Sequence, residues 1–133
     1  HIGIGYLKGY GLKSGAVATS VAHDSHNIIC VGTNDEDMAF AVNRIARNRG
    51  GIVVVENGQV LAELPLEIAG IISGKPLREV NTLLEDAKKA AHALGVGTDI
   101  DPFMTLSFMS LPVIPTLRLT TRGVVDVNTQ QYV

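Results

Sequence analysis

Ser20, His23, Asp24, Ser25, His26 and Asn27 form the densest polar group of the 133-residue chain, set between two apolar runs. Two imidazoles beside a carboxylate are the parts of a transition-metal site or a proton relay, because imidazole titrates nearest neutrality. The spacing argues against an intrinsic metal centre. His23 and His26 are separated by two residues in a turn, no third distant ligand stands out, His1 is terminal, and His92 falls on a helix surface. Two roles stay open for the segment His23–Asn27: ordinary turn hydrogen bonding, or presentation of polar side chains toward a binding site by a rigid scaffold.

Other chemistries find less support. Gly3-Ile4-Gly5 lacks the third glycine of a dinucleotide fingerprint and opens no helix, and Gly9–Gly15 contains Lys13-Ser14 without the spacing of a phosphate loop. No Gly-x-Ser-x-Gly element occurs, and Cys30 has no histidine in a catalytic arrangement. Asp35-Glu36-Asp37 and Arg44, Arg47 and Arg49 suit the first and last turns of one helix, where the macrodipole favours each sign. Residue by residue, the chain holds no catalytic set and no metal site.

The polar group must be held by the elements around it. Ile2–Leu7 alternates apolar residues with glycine and reads as a strand packed closely on something. Ala16–Val21 and Asn27–Gly32 read as two strands joined by the polar corner. Asn34 caps a helix over 35–48, which Gly50-Gly51 stops. Ile52–Glu56 and Gln59–Leu64 flank Asn57-Gly58, the dipeptide that best tolerates the two positive φ values of a type I′ turn. Leu66–Ile72 reads as a short buried helix. A long helix begins at Pro76 as its first residue and ends at Gly95, with Leu77, Val80, Leu84, Ala87, Ala91 and Leu94 as its apolar stripe. Asp101-Pro102 opens a third segment, Phe103–Met109, apolar on nearly every side and so expected deep in a core or an interface. Pro112-Val113-Ile114-Pro115 is a rigid connector, and 116–120 with 124–127 form a second hairpin. The expected fold is one α+β domain over residues 1–133, a mixed, largely antiparallel sheet with hairpins and about three to four helices.

Composition narrows the function classes. With 46% apolar and 18% charged residues the chain is globular rather than disordered. Eleven basic against thirteen acidic residues exclude an electrostatic nucleic-acid binder. No apolar run approaches the ~18 residues of a membrane span, and nothing resembles a signal peptide, so a cytoplasmic protein is expected. The lone Cys30 lies in Ile28–Val31 and reads as a buried, inert thiol. A mean hydropathy of +0.24 is high for so small a surface-to-volume budget. With His1 at its start, the chain is expected to be part of a longer polypeptide or an oligomer.

The string Gly9–Ile29, with His23-Asp24-Ser25-His26-Asn27 as its most specific part, resembles the C-terminal domain of the microbial adenine deaminases. Val31–Met38, Leu64–Gly70 and Asp101–Phe108 continue the likeness, which spans essentially the whole chain. The resemblance implies a parent enzyme of the metal-dependent amidohydrolase superfamily that converts adenine and water to hypoxanthine and ammonia in purine salvage. It implies a barrel domain, N-terminal to this one, whose His-x-His motif and metal pair, manganese or iron, activate the attacking water. That motif does not occur here, so no catalytic residue and no metal ligand carries over and no cofactor is expected on this domain. His23, Asp24, Ser25, His26 and Asn27 are the candidates to face the barrel and the purine pocket. The alternative is a purely structural or oligomerisation domain, which the apolar Phe103–Met109 would serve equally well.

Overall fold

The computed structural model describes residues 1–133. Its elements are β1 (Ala16–Thr19), β2 (Ile29–Gly32), α1 (Asp35–Arg47), β3 (Gly51–Glu56), β4 (Gln59–Pro65), α2 (Leu77–Ala93), α3 (Pro102–Ser107), β5 (Leu117–Thr120), β6 (Gly123–Asp126) and β7 (Gln131–Tyr132). They form an α+β fold with two sheets, ordered β2-β1-β3-β4 and β5-β6-β7. Every strand pair is antiparallel. No helix is long and apolar enough to cross a membrane.

The four-stranded sheet is covered on both faces, which is why Ile52–Val55 is an unbroken apolar run rather than an alternating one. Side chains of a strand point alternately to the two faces. Val17, Ile52, Val54 and Leu64 join a core with α2 and α3, whereas Ala16, Ala18, Val53 and Val55 pack on Ala41 and Ile45 of α1. Alanines on the second face let α1 lie close to β1.

Local signals set most boundaries. Asn34 accepts from the Asp37 N–H at 2.8 Å and caps α1. Asp37 does more than complement the dipole, since its carboxylate accepts from the N–H groups of Asn57 (3.1 Å) and Gly58 (2.8 Å). It therefore ties the start of α1 to the β3–β4 turn, whose Asn57 and Gly58 have φ of 52° and 70°. These hydrogen bonds, led by the one from Gly58, hold the Asp37 carboxyl below the usual carboxylate range. Asp101 caps α3 by accepting from Phe103 N (3.0 Å) and Met104 N (2.9 Å), and pairs with Lys88 of α2 at 3.0 Å.

Several expectations are corrected. Leu66–Ile72 is not a helix but a set of turns around an isolated Ile68–Ile72 bridge, and Ile68 and Ile72 are exposed. The reason is a backbone-to-backbone contact: a Cβ on Gly50 would fall 2.3 Å from Gly70 Cα, so this loop lies directly on the Gly50-Gly51 turn. Ile2–Leu7 forms no strand within this chain. Pro76 stands just outside α2 and Leu77 is exposed, while Ala87, Ala91 and Leu94 are buried as the stripe required. Only one side of α3 is buried, through Phe103 and Leu106, and Met104 faces outward. Cys30 is half-buried, and desolvation pushes its thiol up to about 12, so it is protonated and unreactive near neutrality.

Candidate functional site

The polar corner spans the link between β1 and β2, which are neighbours in register with Thr19 opposite Ile29. Its two ends are therefore held by a sheet, and the link has to loop out beyond the sheet's end. Ser20 forms the inner anchor and is buried. Its N–H donates to Gly51 O at 2.9 Å, and its Oγ accepts from Gly51 N at 2.8 Å and donates to Gly70 O. One hydroxyl thus clamps the corner, the start of β3 and the 66–72 loop together.

His23 forms the second anchor. Its N–H donates to Ser107 O at 3.0 Å, its carbonyl accepts from Ser110 Oγ at 3.4 Å, and its ring stacks on Phe108 with centroids 5.1 Å apart. The end of α3 and the residues after it hold this imidazole, roughly half-buried, against an aromatic face. Beyond it the chain turns sharply. His26 donates its N–H to Ala22 O at 2.6 Å with φ of 49°, and its ring meets the His23 ring edge-on at 5.9 Å between centroids. Asn27 Nδ2 donates to Ser25 Oγ at 3.0 Å. Asp24, Ser25, His26 and Asn27 are exposed.

The structure thus brings all five candidates into one turn, fixed at its base and open at its tip. It does not bring them into a nucleophile–base pair, because neither imidazole hydrogen-bonds to Asp24, Ser20 or Ser25. Nor do they fit a metal: no three His, Cys, Asp or Glu side chains converge on a point. What the turn offers is a set of exposed donors and acceptors on an anchored base.

His26 also forms part of the rim of an open depression of about 400 Å³, lined with it by Ile28, Arg49, Glu67 and Gly70. Glu67 Oε1 accepts from Gly74 N at 3.0 Å, and Oε2 is buried without a partner. Hydrogen bonds from its own N–H and from Gly74 hold this carboxyl below the usual range, with Lys75 and Arg49 adding through-space attraction. Sequence reasoning did not connect Glu67 or Arg49 with the corner. Arg49 reads as a helix end and Glu67 as part of the short buried helix 66–72, and the Gly50–Gly70 contact brings the two segments together. Phe108 and Ser110 were missed as well, since nothing local marks them as partners of His23.

Comparison with known proteins matches residues 1–131 to the adenine deaminase C-terminal domain. The chain is similar to an adenine deaminase of Nitratidesulfovibrio vulgaris, 52% identical over 133 residues, covering 99% of this chain and 23% of that protein. It is 55% identical to one of Dehalococcoides mccartyi over 128 residues, 96% of this chain and 22% of that protein. The adenine deaminase of Bacillus subtilis is 47% identical over 131 residues, 98% of this chain and 23% of its own length. The chain therefore spans about a quarter of the relatives it matches.

Proposed function

The chain belongs to the adenine deaminase C-terminal domain family, and from that premise we propose that it serves the deamination of adenine to hypoxanthine as a companion to a catalytic body. The domain packs on the metal-bearing barrel N-terminal to it, and His23, Asp24, Ser25, His26 and Asn27 face that barrel and help to shape the purine pocket. The single observation that carries this reading is the asymmetry of the corner. Its base is gripped by Gly51, Gly70, Ser107 and Phe108, whereas the side chains of its exposed tip make no hydrogen bond to the rest of the domain, Asn27 bonding only to Ser25. Fixing a short polar turn costs conformational entropy, and pre-organised polar groups are useful where they meet a ligand or a partner.

The chemistry of deamination falls to the rest of the polypeptide. On this reading manganese or iron is held there, as the family likeness implies, and the domain by itself is inactive. A cytoplasmic oligomer working in purine salvage completes the reading, supported by the family likeness and the high apolar content.

The test is alanine at His23 and His26 in the complete enzyme. The expected result is a fall of at least about tenfold in kcat/KM for adenine, with metal content and the unfolding midpoint kept. Unchanged kcat and KM in both variants refute the pocket-facing role. Loss of subunit assembly with turnover preserved favours the structural alternative, for which the outward-facing Met104 on α3 is the supporting feature.

A further inference from the structure

The segment 2–8 has the sequence pattern of a strand and no strand partner within the chain. Ile2, Ile4 and Tyr6 are 89%, 82% and 106% exposed, all on alternate positions. The intervening glycines face the opposite way, onto the second sheet. A Cβ on Gly3 would fall 1.8 Å from Thr120 O, and one on Gly5 would meet Val124 Cγ2 at 3.3 Å and Leu119 Cδ1 at 3.4 Å. Gly3 is needed there because the backbone lies directly on Thr120 of β5, whereas Gly5, itself exposed, meets only the side-chain ends of Leu119 and Val124. No N–H or C=O of residues 2–8 takes part in any backbone hydrogen bond, and the first such bond along the chain is Gly97 N to Tyr10 O at 3.2 Å. Tyr10 is then fixed by its hydroxyl, which donates to Pro102 O at 3.1 Å.

We infer that Ile2–Leu7 is a β-strand whose partner strand lies in the part of the adenine deaminase polypeptide outside this domain. The inference rests on the reading that the domain is seated on a catalytic body. Unpaired backbone donors and acceptors in an extended segment are a template for strand addition, and a bare row of two isoleucines and a tyrosine marks a surface that is covered in the working protein. The partner is an extended apolar segment that pairs with the free edge of this strand and packs side chains over Ile2, Ile4 and Tyr6. The chain spans only 23% of the relative from Nitratidesulfovibrio vulgaris, and the remainder of that relative is large enough to supply such a segment.

Hydrogen–deuterium exchange on a complete adenine deaminase carrying this domain tests the pairing. Amides of residues 2–8 are expected to exchange at least ~100-fold more slowly than in an unstructured peptide, and exchange at the unstructured rate overturns the inference. Ile4→Asp is expected to raise exchange in residues 2–8 and in the partner strand together, with Ile4→Val restoring protection. A photo-reactive benzoylphenylalanine replacing Tyr6, in mixtures of isotopically light and heavy subunits, identifies the partner. Crosslinks within one chain to residues outside the domain support the inference, and light-to-heavy crosslinks overturn it in favour of a second copy. The outcome is separable from the role of the polar corner. Silent histidine variants with residues 2–8 protected refute the corner and keep the strand, while altered kinetics with residues 2–8 unprotected do the reverse.

Discussion

The two sheets of this domain solve the same problem in opposite ways. The four-stranded sheet is roofed by α1 on one face and by α2 and α3 on the other, so Ala16, Val17, Ala18, Val53, Val54 and Val55 are fully buried. The three-stranded sheet has no helix of its own. Of its strand residues only Val125 is buried, and Leu117 and Tyr132 are about half exposed. The first sheet is a self-contained core. The second depends on what lies against it, within this chain the glycine face of residues 2–8 and the residues after α3, where Leu119 N–H donates to Met109 O at 2.9 Å. The well-buried and the exposed parts of this small domain are thus separate, and the polar corner sits on the well-buried one.

The largest expected effect breaks the first region. Leu106, 1% exposed, packs α3 onto the four-stranded sheet, and Leu106→Ala is expected to cost about 2–5 kcal/mol in urea unfolding. Leu119→Ala in the half-exposed second sheet is expected to cost under about 1 kcal/mol. Equal losses would end the distinction between a self-contained and a dependent sheet.

A middle-sized effect belongs to the clamp between the corner and the core. Ser20→Ala removes the acceptor of the buried Gly51 N–H and the donor to Gly70 O, and is expected to cost about 1–3 kcal/mol. It is also expected to speed hydrogen exchange at residues 66–74 more than in α2. Uniform acceleration through the domain would show that the clamp is not local.

The smallest effect is acid sensitivity, and it too concerns the first region. The carboxyls of Asp37, Glu63, Glu67 and Asp101 are all held below their usual values. Backbone hydrogen bonds lead for Asp37 and Glu67, the Arg44 side chain leads for Glu63, and hydrogen bonds from Met104 and Lys88 outweigh burial for Asp101. A carboxyl lowered in the folded state binds fewer protons than in the unfolded chain. Its contribution is complete above the unfolded values of about 4 and is lost as pH falls through the folded ones. The unfolding midpoint is therefore expected to stay level from pH 7 to 5 and to fall toward pH 3. A midpoint that rises on acidification would contradict these directions. The Arg44–Glu63 pair, at 2.7 Å but with both side chains partly solvated, is expected to add no more than about 1 kcal/mol in a double-mutant cycle.

Where the deciding interaction spans three or four residues, the sequence was a reliable guide. Asn34 and Asp101 cap the helices they precede, Asn57-Gly58 makes the β3–β4 turn, and the apolar spacing of Ala87, Ala91 and Leu94 identifies the buried side of α2. The candidate site was recognisable in the same way, as a polar turn between two apolar strands. Its failures share one cause. Leu66–Ile72 has the composition of a buried helix, yet its conformation follows from the Gly50–Gly70 contact, and Ile2–Leu7 has the alternation of a strand without a pairing partner in the chain.

Sequence alone therefore determined the α+β class, the caps of α1 and α3, the buried side of α2, the hairpins and the position of the corner, because each depends on backbone preferences and on interactions between near neighbours. Tertiary structure alone decided that α1 lies on one face of the four-stranded sheet and α2 with α3 on the other. It also decided that His23 is stacked on Phe108 and that Glu67 and Arg49 stand beside His26. Those are contacts between residues tens of positions apart, and they form only when the burial of two separate cores selects one packing of elements that local preferences leave free to pack in many.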